Sequence, residues 1–375
     1  MGACQRSSIS TLALVLLAAL LQPHSTSACT SFVLEAADGS AVYGRTMEWG
    51  TFDLRSRLII VPRGHRFEGH TPDGKPGLSW TGKYGAVAVD ALEKDVLTDG
   101  MNEKGLVVGV LYLPGFAEFE PYDAAKADRS MGPSDLASFL LTQFAAVDEV
   151  RAGLGNMRVV PIPEPALGGM TPPLHWIVTD PSGKTIVIEY LEGRLHVFDN
   201  PLRVLTNAPS FDWHMTNLRN YINLSPVALP GKRIEDLDFK PLGGGSGFIG
   251  LPGDFTPPSR FVRAVAFTQT ARRTPSGAEA VYEALRILDN FNVPLGASEG
   301  PAAQESKLAG MRSSTIWTTV ADTRNLVYYY HTQHDRRLRM VDLGKVDFAP
   351  RAAGLRRFPL DKEKSQDIED VTPGN

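Results

Sequence analysis

The stretch CTSFVLEAADGSAVYGRTMEWG, residues 29 to 50, alternates apolar and polar side chains on either side of Asp38-Gly39. Such a pattern predicts two strands joined by a turn, with Cys29 at the exposed start of a sheet. Further strand-like runs are RLIIVPRG from Arg57, YGAVAVDA from Tyr84, GLVVGVLYL from Gly105, LHWIVTD from Leu174, KTIVIEY from Lys184 and RLHVFD from Arg194. Pro181-Ser182-Gly183 reads as a hairpin connection. Helical spacing predicts a helix over Ser134 to Val147, with Leu136, Phe139, Leu140 and Phe144 on one face, then helices near Asp148 to Leu154 and Ser276 to Leu288, and another after Pro258. SSTIWTTVAD and LVYYYHTQ return the chain to strands. Strands, then helices, then strands again predict an α+β fold of stacked sheets with helices outside.

Upstream of Cys29, MGACQR runs into an apolar stretch from Leu12 to Leu21 and then into HSTSACT. This is the form of a secretory leader over residues 1–28, with Thr26 and Ala28 at the positions a signal peptidase reads. Cleavage after Ala28 makes Cys29 the first residue of an exported chain, periplasmic or secreted. Residues 29–375 then form a single domain, its charged tail disordered from about residue 361. No later run reaches the roughly 18 to 20 apolar residues of a membrane helix, so no membrane span is expected. Loss of Arg6 with the leader moves the formal charge from −4 to −5, which gives no footprint for nucleic acid.

Cys4 lies in the leader, so the mature chain holds one cysteine and no internal disulfide. A lone thiol in an oxidising compartment is a liability unless it has a task. Other motifs fail on inspection. GHTPDGKP, residues 69 to 76, lacks the Ser or Thr that ends a phosphate loop and reads as a surface turn. Ser246 among Gly243, Gly244, Gly245 and Gly247 misses the nucleophile elbow because Phe248 holds its last glycine position. His331 and His334 have no zinc-binding context, so no metal is expected.

A thiol at a chain start brings its own base. The α-amino group titrates near 7.7 to 8.0 and an ordinary thiol near 8.5, so the amine can take the thiol proton directly or through water. The nucleophile still needs a nearby cation and donors for the oxyanion. Arg45, across the Asp38-Gly39 turn, can lie beside Cys29, although Arg45 and Glu48 also read as an ordinary surface pair.

CTSFVLEAADG, GRTMEWG, DGMNEKGL, LHWIVTD, VLTNAPSFDWH and LPGDFTPPSRF, in this order, resemble the choloylglycine hydrolase and penicillin V acylase family of amino-terminal nucleophile hydrolases. The resemblance implies a four-layer αββα sandwich of two mainly antiparallel sheets, hydrolysis of linear non-peptide amides, no cofactor, and a homo-oligomer, a tetramer in the family. It places the nucleophile at Cys29, the adjacent arginine at Arg45, an oxyanion-binding asparagine at Asn207, a second arginine at Arg260, and the other oxyanion donor at the Tyr112 N–H. Glu48 stands where the family usually has aspartate, one methylene longer, so its contact with the Cys29 amine and thiol is expected to be rearranged.

Each of these residues has a plainer reading. Asn207 before Ala208-Pro209 can organise a turn, Arg260 can be a solvated charge, and Asn102 in DGMNEKG is expected to be structural. Trp80, Trp176 and Trp213 suit a core, and Trp49 directly after the strand can line an acyl pocket. Tyr112 stands where bile salt hydrolases usually carry asparagine and penicillin V acylases tyrosine. The expected substrates are therefore phenoxyacetyl penicillin or N-acyl homoserine lactones ahead of conjugated bile salts. A lipid-anchored protein acylated at Cys29, or a relative that binds amides without cleaving them, are the alternatives from other classes. TSAC resembles a lipobox end, with Thr26 at a position that normally holds an aliphatic residue.

Overall fold

The computed structural model describes residues 29–50, 53–299 and 312–373; the leader assigned to residues 1–28 lies outside them. The strands are β1 (Thr30–Glu35), β2 (Ala41–Trp49), β3 (Arg57–Val61), β4 (Arg66–His70), β5 (Pro76–Thr81), β6 (Ala86–Ala91), β7 (Val96–Asn102), β8 (Val107–Tyr112), β9 (Ser130–Met131) and β10 (Arg158–Val159). Then come β11 (Leu174–Thr179), β12 (Thr185–Leu191), β13 (Arg194–Asp199), β14 (Val204–Leu205), β15 (Lys232–Ile234), β16 (Leu237–Phe239), β17 (Ser298–Glu299), β18 (Arg312–Asp322), β19 (Val327–Thr332), β20 (Arg339–Asp342) and β21 (Arg356–Pro359). The helices are α1 (Leu136–Gln143), α2 (Val147–Gly153), α3 (Phe211–Asn217), α4 (Pro257–Thr270) and α5 (Gly277–Asp289).

Two large antiparallel sheets carry the fold. The first runs β14-β1-β2-β18-β19-β20 with β17 on β18, and the second runs β13-β12-β11-β8-β7-β6-β3-β21. Their inner faces pack together: Val33 and Tyr43 of the first share one buried cluster with Val87, Met101, Val107, Leu111, Ile177 and Val187 of the second. The strand period of two sends alternate residues of the second sheet outward. Ala88, Leu97, Val108, Trp176 and Ile188 accordingly bury against Leu136, Leu140 and Leu141 of α1. Helices α4 and α5 cover the far side of the first sheet, where α5 is started by Ser276, whose hydroxyl accepts from Glu279 N, and packs Ala280, Val281, Ala284, Ile287 and Leu288 at helical spacing. The order helix, sheet, sheet, helix is the four-layer sandwich.

Three expectations are corrected. The helix expected over Ser134 to Val147 is shorter, Leu136–Gln143, because Phe144 turns extended (φ −122°, ψ 149°), while the helix expected near Asp148 to Leu154 starts at Val147. Asn102 stops the first of these at Gln143: its Nδ2 donates to the Leu141 and Phe144 carbonyls, both at 2.8 Å, so this structural asparagine caps α1 from the sheet beneath. DGMNEKG is not wholly a turn, for its first four residues are the end of β7. Trp80 and Trp176 are buried in the outer cluster, whereas Trp213 is exposed. The segment from Asp361 carries neither helix nor strand and meets the body through polar contacts such as Lys364 Nζ to Asp53 Oδ2, 2.6 Å.

Candidate active site

Antiparallel pairing of β1 with β2 sets Thr30 opposite Thr46 and Ser31 opposite Arg45. Strand alternation then puts Cys29, Arg45 and Met47 on the face between the sheets, and Thr30, Thr46 and Glu48 on the face toward α4 and α5. The surface-pair reading of Arg45 and Glu48 fails on this point, since both are fully buried and face opposite ways.

Cys29, expected at the exposed start of a sheet, is instead buried, 2% exposed, because it lies between the two sheets. Its Sγ lies 3.5 Å from Arg45 Nη2 and 3.8 Å from Met47 Sδ. Its main-chain nitrogen donates to Asn207 Oδ1 at 2.7 Å. The guanidinium of Arg45 is fixed by the Thr98 carbonyl at 2.6 Å, by the ring of Trp317 5.1 Å beneath it, and by Asp99 Oδ2 at 3.7 Å. Burial works against the Arg45 charge, yet Cys29, Tyr43 and Asp99 outweigh it and hold the group above its usual pKa. A cation locked beside sulfur favours thiolate.

Asn207 is oriented unambiguously. Its Oδ1 accepts from Arg260 Nη2 at 2.7 Å, an obligate donor, and its Nδ2 donates to the Tyr112 carbonyl at 2.8 Å. The second Nδ2 hydrogen is the one an oxyanion can use. Arg260 is no solvated charge. It is fully buried on α4, with Nε on the Phe255 carbonyl at 2.8 Å and Nη1 on the Cys29 carbonyl and Thr30 Oγ1, the latter at 2.8 Å. Four protein acceptors occupy this guanidinium, so it fixes Cys29 and Asn207 in place. Burial pushes its pKa down to about 10, opposed by Glu48 and Cys29, which still leaves it charged at neutral pH. Glu48 accepts from Thr315 Oγ1 at 2.6 Å, and burial raises its carboxyl to about 7 against the pull of Arg260.

Several residues of the site were not singled out in the sequence. His214 Nε2 meets the Asn207 carbonyl at 2.8 Å, its ring stacked on Phe261; burial pushes its pKa down to about 4, so it is neutral and donates there. His175, on β11, bridges Glu189 Oε1 and the Thr206 carbonyl, both at 2.9 Å, and Glu189 also receives the Phe211 N–H at 3.1 Å. These buried partners fix both carbonyls of Thr206-Asn207. Besides the family blocks LHWIVTD and VLTNAPSFDWH, which contain His175 and His214, the hint in the sequence is that the period of two aims His175 and Glu189 inward among apolar neighbours, where a polar group needs a partner.

A cleft opens over Cys29. Met47, Trp49, Leu54, Leu97, Tyr112 and Leu174 are among its walls, with Arg45 at its base. Trp49 stands edge-on to Tyr112, ring centroids 5.6 Å apart at 87°. Arg260 is not among the residues that line the cleft. Among the described residues no cluster of His, Cys, Asp and Glu could hold a metal ion, and no helix is long and apolar enough to cross a membrane.

Comparison with known proteins agrees with this arrangement. Residues 29–357 match the family of linear amide C–N hydrolases, choloylglycine hydrolase family, and the match starts at Cys29. A bile salt hydrolase/transferase of Clostridium perfringens is 32% identical over 320 residues, 84% of this chain and 93% of the relative. A penicillin V acylase of Pectobacterium atrosepticum is 29% identical over 94% of this chain and 91% of its own length. Among solved structures, a variant of the conjugated bile acid hydrolase of Clostridium perfringens has a TM-score of 0.77 at 29% identity, covering 92% of this chain and 100% of the other. Penicillin V acylase of Agrobacterium tumefaciens has a TM-score of 0.70 at 25% identity, covering 90% of this chain and 95% of the other. Fold and sequence thus define an enzyme that hydrolyses linear amide C–N bonds. The chain belongs to the choloylglycine hydrolase family.

Proposed function

We propose that this chain is an exported amidase in which removal of residues 1–28 frees the Cys29 amine, and that it acts on penicillin V-like amides or N-acyl homoserine lactones. The observation that carries the reading is one residue held at both ends: Asn207 Oδ1 takes the Cys29 N–H at 2.7 Å while Arg45 Nη2 lies 3.5 Å from its sulfur. An amine that spends one hydrogen on Asn207 keeps its lone pair for the thiol proton.

Sγ attacks the amide carbonyl, and the thiol proton passes to the amine. The oxyanion takes hydrogen bonds from Asn207 Nδ2 and the Tyr112 N–H, each worth about 3 kcal/mol of barrier in such sites. The tetrahedral intermediate collapses as the Cys29 ammonium protonates the leaving nitrogen, which departs as an amine and leaves a thioester. A water deprotonated by the same amine cleaves the thioester, and the acid leaves. Glu48 shares the field of Arg260 and acts on the amine end through it.

The largely apolar walls, with Tyr112 packed edge-on against Trp49, suit an apolar or aromatic acyl group. The test is purified secreted protein, weighed intact and assayed on a substrate panel. The expected mass begins at free Cys29, with release of 6-aminopenicillanic acid or homoserine lactone above a buffer blank and abolished in Cys29→Ala. Glycocholate cleavage alone would move the substrate to the bile salt class, and a diacylglyceryl adduct on Cys29 would replace the enzyme with a lipid-anchored protein.

The chain is also proposed to work as a homo-oligomer. The β15–β16 hairpin supports this: Ile234, Leu237 and Phe239 are 50%, 63% and 53% exposed, and its register places all three on one face.

A further inference from the structure

Behind Arg45, away from the cleft, lies a polar cluster with no part in the steps above. Asp99 sits on β7 in the second sheet, fully buried. Its Oδ1 accepts from Thr319 Oγ1 of β18 at 3.0 Å and from Tyr328 Oη of β19 at 2.5 Å, and its Oδ2 accepts from Tyr43 Oη of β2 at 2.8 Å. Oδ2 also lies 3.7 Å from Arg45 Nη1. A carboxylate in a dry interior survives only with such a set of donors and a cation.

The guanidinium is thereby divided. Nη2 faces the Cys29 sulfur, while Nη1 faces Asp99 and the carbonyl of Thr98, the residue before it. A strongly basic sulfur attacks well but is seldom ionised, whereas a thiolate pinned by an uncompensated cation is ionised but less nucleophilic. We propose that Asp99 is a positioning residue of the amidase reaction, acting through Arg45: it offsets part of that cation's charge and so keeps the thiol proton available to the amine. The proposal rests on the reading of Cys29 as the nucleophile. The titratable groups that meet the thiol are Arg45 and Tyr43 from β2 and Arg260 from α4, and those that act on these partners are Glu48 from β2, Asp99 from β7 and, through Asp99, Tyr328 from β19. Burial raises the Asp99 pKa, while Arg45 and the Tyr328, Tyr43 and Thr319 hydroxyls oppose that rise and favour its charged form.

The sign of the effect follows from the geometry. Thr98 and Trp317 hold Arg45 without help from Asp99, so loss of the carboxylate charge leaves the cation in place and less compensated. The test is the pH dependence of Cys29 alkylation by iodoacetamide, read as the Cys29 adduct by peptide mass spectrometry, in the native protein and in Asp99→Asn. The half-maximal rate should move to lower pH by roughly one unit in the variant. The acid limb of kcat/KM should move with it, and kcat should change more than KM. A midpoint that stays put, or moves up, overturns the proposal and leaves Asp99 a structural residue.

Should Asp99→Asn fail to fold, Tyr328→Phe and Thr319→Val keep the carboxylate and each remove one donor. The charge then stays and is shared with fewer donors, so the expected shift is smaller and to higher pH, and no shift in both, or a shift to lower pH, is equally fatal. Failure of the nucleophile reading shows separately, as full activity in Cys29→Ala.

Discussion

Glu48 and His214 are the buried groups whose charge is most nearly undone by the fold. Burial raises Glu48 to about 7, so between its ordinary value of 4.5 and 7 the folded state keeps a proton that the unfolded chain releases. Stability therefore falls as pH rises through that window, by about 3 kcal/mol in all. His214, pushed down to about 4, stays neutral where the unfolded chain takes up a proton below 6.5, so it makes stability rise with pH between 4 and 6.5. In the native protein the two slopes oppose each other. Glu48→Gln removes one, and urea unfolding from pH 4.5 to 7 should show stability climbing with pH in the variant by about 3 kcal/mol relative to the native protein; parallel curves would mean that Glu48 keeps an ordinary pKa. Arg260 poses a different question, of shape. Its fork reaches Phe255, Cys29, Thr30 and Asn207 at once, a geometry no lysine reproduces. Arg260→Lys should lower kcat about a hundredfold while KM changes little, because what is lost is the aim of Asn207. A rise in KM with native kcat would instead make Arg260 a substrate-binding residue.

Strand β2 does the work of three elements: Tyr43 holds Asp99, Arg45 holds the sulfur, and Glu48 lies under Arg260 on its other face. It can do so because β8, in the facing sheet, has Gly109 where a Cβ would come 2.1 Å from Tyr43 Oη. Gly109→Ala should push the phenol off Asp99 and cost about 1 to 3 kcal/mol, read as a lowered Tm together with an alkylation midpoint moved to higher pH, because the carboxylate keeps its charge and loses a donor. A lowered Tm with native alkylation would separate packing from the proposed tuning of the thiol. Most of this scale was legible in advance. The alternation in residues 29 to 50 placed Arg45 beside Cys29, and β8, β11 and β12 read directly from their apolar runs. β7 was not legible, since Asp99-Gly100-Met101-Asn102 has the composition of a turn and becomes strand only because β6 and β8 flank it. Missing β7 meant missing Asp99. The buried Arg260 was hidden likewise, as three of its four partners, on Cys29, Thr30 and Asn207, lie 53 to 231 residues away. The separate family blocks, not spacing, pointed to it.

At the scale of the molecule, the two sheets account for the active site and leave β15 and β16 unexplained. A two-stranded ribbon is marginal in water by itself, and this one has Ile234 paired with Leu237 and Phe239 across from Lys232, all on one face, with Arg233 across from Asp238 on the other. Charges of both signs around an apolar stripe are what a self-complementary contact between identical chains uses. Light scattering on the purified enzyme should therefore give a mass several times that of one chain. Leu237→Asp with Phe239→Asp should reduce that mass, because each carboxylate would be buried without a partner in the contact, while the circular dichroism of the sheets stays as it was. The active centre lies in a different part of the fold from this hairpin, so the dispersed variant should keep its turnover per chain. A native enzyme that already runs as a monomer at micromolar concentration would show that the apolar face is covered by something other than a second copy.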